Sequence, residues 1–322
     1  MSSDYIDRLR HELLRAGAST QPARHRPARL KRALPALVTA GAVALVAAAL
    51  LLTWPAVRTD DRPVEPAEPG AGQIYRVEPS GAAEQTAQVL RERLAAAGVA
   101  GAVTVAGDGL TITAPPAAQE AVTALTQPGR VGFYDWEGRV LGPGGRPAPT
   151  DPETTGNPDA GRGAAVTKAE AEARAAAVPD GRVVRAENGD GWFALGGAPA
   201  LTDADIAGAE SMVIQATDHP IVVVELTPRG QDAFADLTRE LAHRGANLAE
   251  PGSGLEASQH LAIVIDGRIV AVPFIDFRVA PDGIDGADGA QISGNLTEET
   301  ARQMASIIDS GPLPGALTST GG

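Results

Sequence analysis

The side chains able to catalyse, ligate or bind are few in this chain, and their spacing restricts what they can do. Histidine occurs at 11, 25, 219, 243 and 260, and no pair has the H-E-x-x-H spacing that sets two imidazoles and a general base on one helical face. Cysteine is absent, which removes thiol nucleophiles, disulfides and Cys-ligated zinc. The GSG segment at 252–254 has no strand-to-helix frame of the G-x-S-x-G kind. The Gly-rich stretch 141–163 contains neither G-x-G-x-x-G nor G-K-S/T, so it is no phosphate cradle. Acidic pairs are plentiful because the surface is acidic, and their abundance singles out no catalytic pair. These residues point to no enzyme and to no cofactor.

Two groups could still bind. In PDGIDGADGA the residues Asp282, Asp285 and Asp288 recur every third position in a Gly-rich loop and offer the oxygen ligands that Ca²⁺ accepts. The loop lacks the EF-hand order and a terminal bidentate Glu, so a solvated turn competes with a cation site. Aromatic residues are scarce, three Trp, three Tyr and five Phe. Among them Trp192, Phe193, Phe274 and Phe277 are candidate contacts for an extended polypeptide, with ordinary core packing as the alternative.

The charge distribution says where such a surface would lie. The net charge of -13 excludes nucleic acid as the main partner, because phosphate neutralisation needs a basic surface. Residues 1–32 carry eight Lys or Arg against three Asp or Glu, hence +5, and residues 33–54 carry no charge, so 55–322 hold -18. The uncharged block Ala33 to Trp54 would span about 33 Å as a helix, enough to cross a bilayer. Arg29, Lys31 and Arg32 before it place the N-terminus on the cytoplasmic side and the body outside. A cleaved signal peptide is the competing reading, and the block is too long for one and does not end in an A-x-A-like site. The expected organisation is a basic cytoplasmic tail at 1–32, with an amphipathic helix at Tyr5 to Gly17, a transmembrane helix at 33–54 and a Pro-rich linker at 55–72.

From Gln73 onward short β-rich runs alternate with Ala-rich helical ones. Strand QIYRVEP, a helix over Ala82 to Gly98, a hairpin turning at Asp108-Gly109, a helix near Ala117 to Leu125 and strand GRVGFYDWE give the order βαββαβ, which suits a ferredoxin-like base. Residues 141–163 lose all periodicity and read as a flexible loop. Further on, strand Ile221 to Leu226 feeds a helix capped by Thr227 with Pro228 at its first position. The run Leu261 to Ile275 predicts a hairpin turning at Asp266-Gly267, with Val264 opposite Ile269. Thr297 caps a last helix, Glu298 and Glu299 occupy its first turn, and Gly311-Pro312 stop it. Residues 73–140 and 164–316 thus form the folded body, and 317–322 read as a tail.

The succession VVVELTPRGQDAFADLT, LAIVIDGRIVAVPFI and ISGNLTEETARQMASIIDSGPLP resembles the large extracytoplasmic domain of SecD, the membrane subunit that assists the Sec protein-export channel. QVLRERLAAAGVAGAVTVAGDGLTITAPP is similar to the first half of that domain. The resemblance implies an α+β fold: a ferredoxin-like base built from both ends of the domain, residues 73–140 and the end of 164–316, with an inserted α/β head between. It implies Sec translocon components or translocating polypeptide as partners, met by strand addition at a sheet edge or in an apolar groove. SecD proteins continue into a five-helix membrane bundle tied to proton-driven pulling. This sequence ends at Gly322, and 33–54 has no charged group for proton coupling, so binding without a motor is expected. A transmembrane sensor signalling through the cytoplasmic helix is the alternative.

Overall fold

The computed structural model describes residues 72–321, apart from Ser80, 147–164, Asn188, 215–216, 251–254, Glu256 and Asn295. The basic tail, the apolar block 33–54, the linker up to 71 and most of the 141–163 loop therefore lie outside the described residues. Among the described residues no helix is long and apolar enough to cross a membrane.

The described residues begin with β1 (Gln73–Glu78), α1 (Ala83–Ala96), β2 (Ala102–Ala106), β3 (Gly109–Thr113), α2 (Gln119–Leu125), β4 (Val131–Asp135) and the single turn α3 (Trp136–Arg139). Next come α4 (Lys168–Ala175), β5 (Arg182–Arg185), β6 (Trp192–Leu195), β7 (Leu201–Thr202), β8 (Ile206–Ile214), β9 (His219–Leu226) and the long α5 (Pro228–Leu248). The last elements are β10 (Gln259–Ile265), β11 (Arg268–Ala271), β12 (Phe274–Ile275), β13 (Ala290–Ile292), α6 (Glu298–Asp309) and β14 (Ala316–Gly321).

These strands form three sheets in a mixed α+β body. An antiparallel sheet has the order β14-β1-β3-β2, a larger one β6-β5-β11-β10-β4-β7 with β12 beside β10, and a third β13-β9-β8. The first corrects two expectations. Strand β4 does not close the βαββαβ sheet but pairs with β10, Phe133 opposite Ile263. Four consecutive β4 residues, Val131 to Tyr134, are buried, and such a strand needs a sheet covered on both faces. The first sheet buries one face only, as the alternation along β3 and β1 shows. Its fourth position is taken by β14, so 317–322 are no tail: Leu317 pairs with Val77 and Thr318 with Arg76. The hairpin turn also moves by one residue, to Gly107-Asp108, because Ala106 pairs with Gly109 and the positive φ of 61° falls on Gly107.

Burial on both faces is complete in β10, whose seven residues are all buried. Leu261, Ile263 and Ile265 face the main core, and Ala262 and Val264 face a second cluster with Tyr134, Trp136 and Leu195. The β10-β11 hairpin turns at Asp266 (φ 50°) and Gly267 (φ 74°) and sets Val264 opposite Ile269, the register expected from the sequence. Helix α5 is capped by the Thr227 hydroxyl, which accepts from Gly230 N at 3.1 Å, and α6 by Thr297, which accepts from Thr300 N at 3.1 Å.

Arg93 of α1 joins elements far apart in the chain. It is 0% exposed, and its guanidinium donates to the carbonyls of Leu125, Gln127, Pro128 and Gly311 and to Ser310 Oγ. One guanidinium thus serves the carbonyls left over at the end of α2 together with Ser310 Oγ and Gly311 O just after α6. Burial lowers its pKa to about 10, with the Asp266 charge opposing, and it remains protonated at neutral pH. Asp266 holds the same crossing from the other side, accepting from Gly129 N at 2.9 Å and Arg130 N at 2.9 Å. Gly129 is required there: its φ is +83°, and a methyl group would lie 2.3 Å from Arg93 Nη2.

Candidate functional site

The turn from β4 into α3 carries the densest polar arrangement. Asp135 caps α3, its Oδ1 accepting from Gly138 N at 3.0 Å, and a side chain at Gly138 would meet that carboxylate at 2.3 Å. Arg244 of α5 grips the same carboxylate with both terminal nitrogens, at 3.0 and 2.5 Å, and reaches Glu240 at 3.3 Å. The hydrogen bond to Asp135 is the main reason that the Arg244 pKa is raised. Glu137, two residues on, points the other way. Its carboxylate accepts from His260 N at 2.8 Å and meets His260 Nδ1 at 2.5 Å, in a pair where both side chains are buried. Trp136 between them is fully buried and packs edge-on against Phe193, with centroids 5.0 Å apart.

Beside this turn lies an open cleft of about 520 Å³. Gly138, Ala198, Ala200 and Ala233 make parts of its wall, and Arg139, Asp236 and Glu240 supply charge. Ala198 and Ala200 are not buried, so a chain lying there meets small side chains and main chain. Arg139 lies across Gly197, where a methyl group would come 2.5 Å from its Nη1. The cleft is open to solvent and presents both signs of charge.

The residues singled out from sequence do not converge. Trp192 belongs to a small cluster with Ala171 and Ala175, with Lys168 Nζ 5.6 Å and the Arg185 guanidinium 6.0 Å from its ring centroid. Phe193, on the opposite face of β6, packs on the cluster around Trp136. Phe274 is buried against His260 and is a core residue, and Phe277 packs on the main core beside Gly245. Trp192, Phe193 and Phe277 remain half-buried. The Asp282, Asp285 and Asp288 loop lies against α5. Among the described residues no group of three His, Cys, Asp or Glu could hold a metal ion. Asp285 instead accepts from Ala287 N at 2.9 Å, and the glycines serve close approach to α5: methyl groups on Gly283 and Gly286 would lie 2.4 Å from Arg239 N and 2.6 Å from Gln231 Cα. Asp135, Glu137 and Arg244 escaped sequence reading. The only local signal was an acidic residue three positions before a glycine at a strand end.

Comparison with known proteins locates this body. Residues 181–315 match the family described as SecDF, P1 head subdomain. This stretch of the folded body is similar to the head of SecD-type periplasmic domains. Protein translocase subunit SecD of Aquifex aeolicus is 27% identical over 139 residues, 43% of this chain and 23% of the relative. Protein translocase subunit SecDF of Thermus thermophilus is 33% identical over 118 residues, 37% of this chain and 13% of the relative. A crystal structure of SecDF in a super-membrane-facing form aligns with a TM-score of 0.48 at 22% identity, covering 79% of this chain and 30% of that one. The chain thus spans a quarter or less of the length of these curated SecD and SecDF relatives. Within the matched SecD-type head lie α5 with Arg244, the 198–200 wall of the cleft and the buried His260; Asp135 and Glu137 precede it.

Proposed function

We propose that this protein is an accessory of protein export: a module held outside the membrane by one span, which binds extended polypeptide in the cleft beside α3. The observation that carries the reading is the match of 181–315 to the SecDF P1 head, whose relatives are named protein translocase subunits. In this reading 1–32 lie in the cytoplasm, 33–54 in the bilayer and the acidic body outside, and the β14-β1-β3-β2 sheet serves as a ferredoxin-like base, a reading supported by the charge distribution and the strand order. Block 33–54 holds no ionisable group, so this span supplies no proton-coupling residue, and the role assigned to the body is binding. Trp192 and Phe193 act as secondary contacts through their exposed parts. A Sec translocon component or the translocating chain is the partner, and no metal or cofactor is needed.

The natural absence of cysteine makes the test direct. The full chain carrying Ala200→Cys, in intact cells stripped of the outer wall, is expected to crosslink to an arrested export intermediate. Protease added outside should degrade the body. A body that resists protease overturns the topology. No crosslink from Ala200→Cys, under conditions that capture Sec components, overturns the polypeptide-binding role.

A further inference from the structure

We propose a second polypeptide contact: the outer edge of β8, from Ala209 to Ile214, accepts an extended strand that carries apolar and cationic side chains. This rests on the reading that the client is an extended polypeptide, and it names a site and a chemistry that the cleft does not provide.

At nine residues, β8 is the longest described strand, and it pairs with β9 alone, at one end of its sheet. Val213 stands opposite Pro220, which has no N–H, and pairs two residues apart share the same bonding state. The N–H and C=O groups of Ala209, Ser211 and Val213 therefore point away from β9. Ala209 N confirms the direction, donating outward to Asp309 Oδ1 at 3.2 Å. Ser211 and Val213 have no backbone partner on that side among the described residues. Natural edges are normally blunted by lysine, proline, a bulge or a covering element. Here the bulge lies at the other end, between Ile206 and Gly208, α6 packs against β8 and takes up Ala209 N through Asp309, and Ser211 to Ile214 carry no lysine, proline or bulge. Met212 and Val213 are 44% and 36% exposed, two of the five large apolar residues that the described surface leaves open.

Charge selects the occupant. Glu225 on β9 and Glu210 on β8 are exposed, and Asp309 and Glu225 converge on Gly208, where a methyl group would lie 3.2 Å from Asp309 Oδ1 and 3.7 Å from Glu225 Oε2. None of the three carboxylates has a salt-bridge partner among the described residues. A strand added at this edge gains main-chain hydrogen bonds at Ser211 and Val213, apolar contact at Met212 and Val213, and cationic partners for the carboxylates. A segment of alternating lysine and valine has the required pattern; an acidic segment does not.

The test uses the full chain in detergent micelles and a peptide of about eight residues alternating Lys with Val or Thr. Its control is the same peptide N-methylated at alternate amides. Val213→Pro removes an outward N–H while leaving the β8-β9 ladder intact, because the Val213-Pro220 pair lends none of its groups to that ladder. One lost hydrogen bond is expected to weaken peptide binding about fivefold, and methylation about tenfold or more. Replacing Lys by Glu in the peptide should abolish binding, and added salt should weaken it. Unchanged binding of the methylated peptide overturns the proposal even where Val213→Pro fails to fold. Crosslinking of Ser211→Cys to a second copy instead of to the peptide also overturns it. If the Ala200→Cys crosslink persists while the peptide ignores β8, the edge alone is refuted; if both contacts are missing, polypeptide binding falls as well.

Discussion

Replacing Arg93 by Met keeps the length of the side chain and removes its five donors. Two of the acceptors, Leu125 O and Gln127 O, have no other hydrogen-bond donor among the described residues, whereas Pro128 O keeps Leu313 N at 2.7 Å. Each orphaned buried carbonyl costs about 1–3 kcal/mol. Relief from burying a guanidinium offsets part of this, and the expected net loss is about 3–5 kcal/mol. Against a typical total of about 5–15 kcal/mol, that is a large share. Lysine restores the charge and three donors but not the fork, so Arg93→Lys should lose about half as much. Urea titration followed by tryptophan fluorescence reads the effect, since Trp136 is fully buried and changes environment on unfolding. A midpoint for Arg93→Met within about 1 kcal/mol of the parent, at unchanged slope, would refute the view that Arg93 ties α1 to the ends of α2 and α6.

Two further outcomes follow from the same accounting. Asp135→Ala removes the cap of α3 and the bidentate partner of Arg244, and should cost about 2–3 kcal/mol; Asp135→Asn, which keeps the cap, should cost about half of that, both read from denaturant midpoints. Ending the chain at Gly315 deletes β14 and turns β1 into an edge, so hydrogen exchange of the β1 amides that bond β14 should quicken by about tenfold or more, and unchanged protection would show that β14 contributes nothing to the sheet.

Features closed within a few residues were legible from sequence. The Asp266-Gly267 turn, the Thr227 and Thr297 caps and the Val264-Ile269 register each depend on local backbone geometry and on the alternation of apolar residues. Where a local pattern admitted two partners, the choice failed. Strand β4 reads as the next member of its own sheet, yet its two apolar faces are satisfied only beside β10, more than a hundred residues later. The Ser- and Thr-rich β14 carries little apolar signal because it lies at an edge with only Leu317 half-buried among its described side chains. The repeated aspartates of 282–288 suggested a ligand set, whereas the glycines between them let the chain lie against α5.

Sequence by itself determined the charge polarity, the uncharged block, the class of fold and the kinship of the head, all carried by composition and short-range pattern. Tertiary structure decided which buried charges are matched. Arg93 finds its acceptors 32 to 35 and 217 to 218 positions away, and Arg244 finds Asp135 at a separation of 109. The physical reason is that a buried ion or carbonyl must be satisfied by whatever packing brings within about 3 Å, and no short-range pattern specifies that distant neighbour.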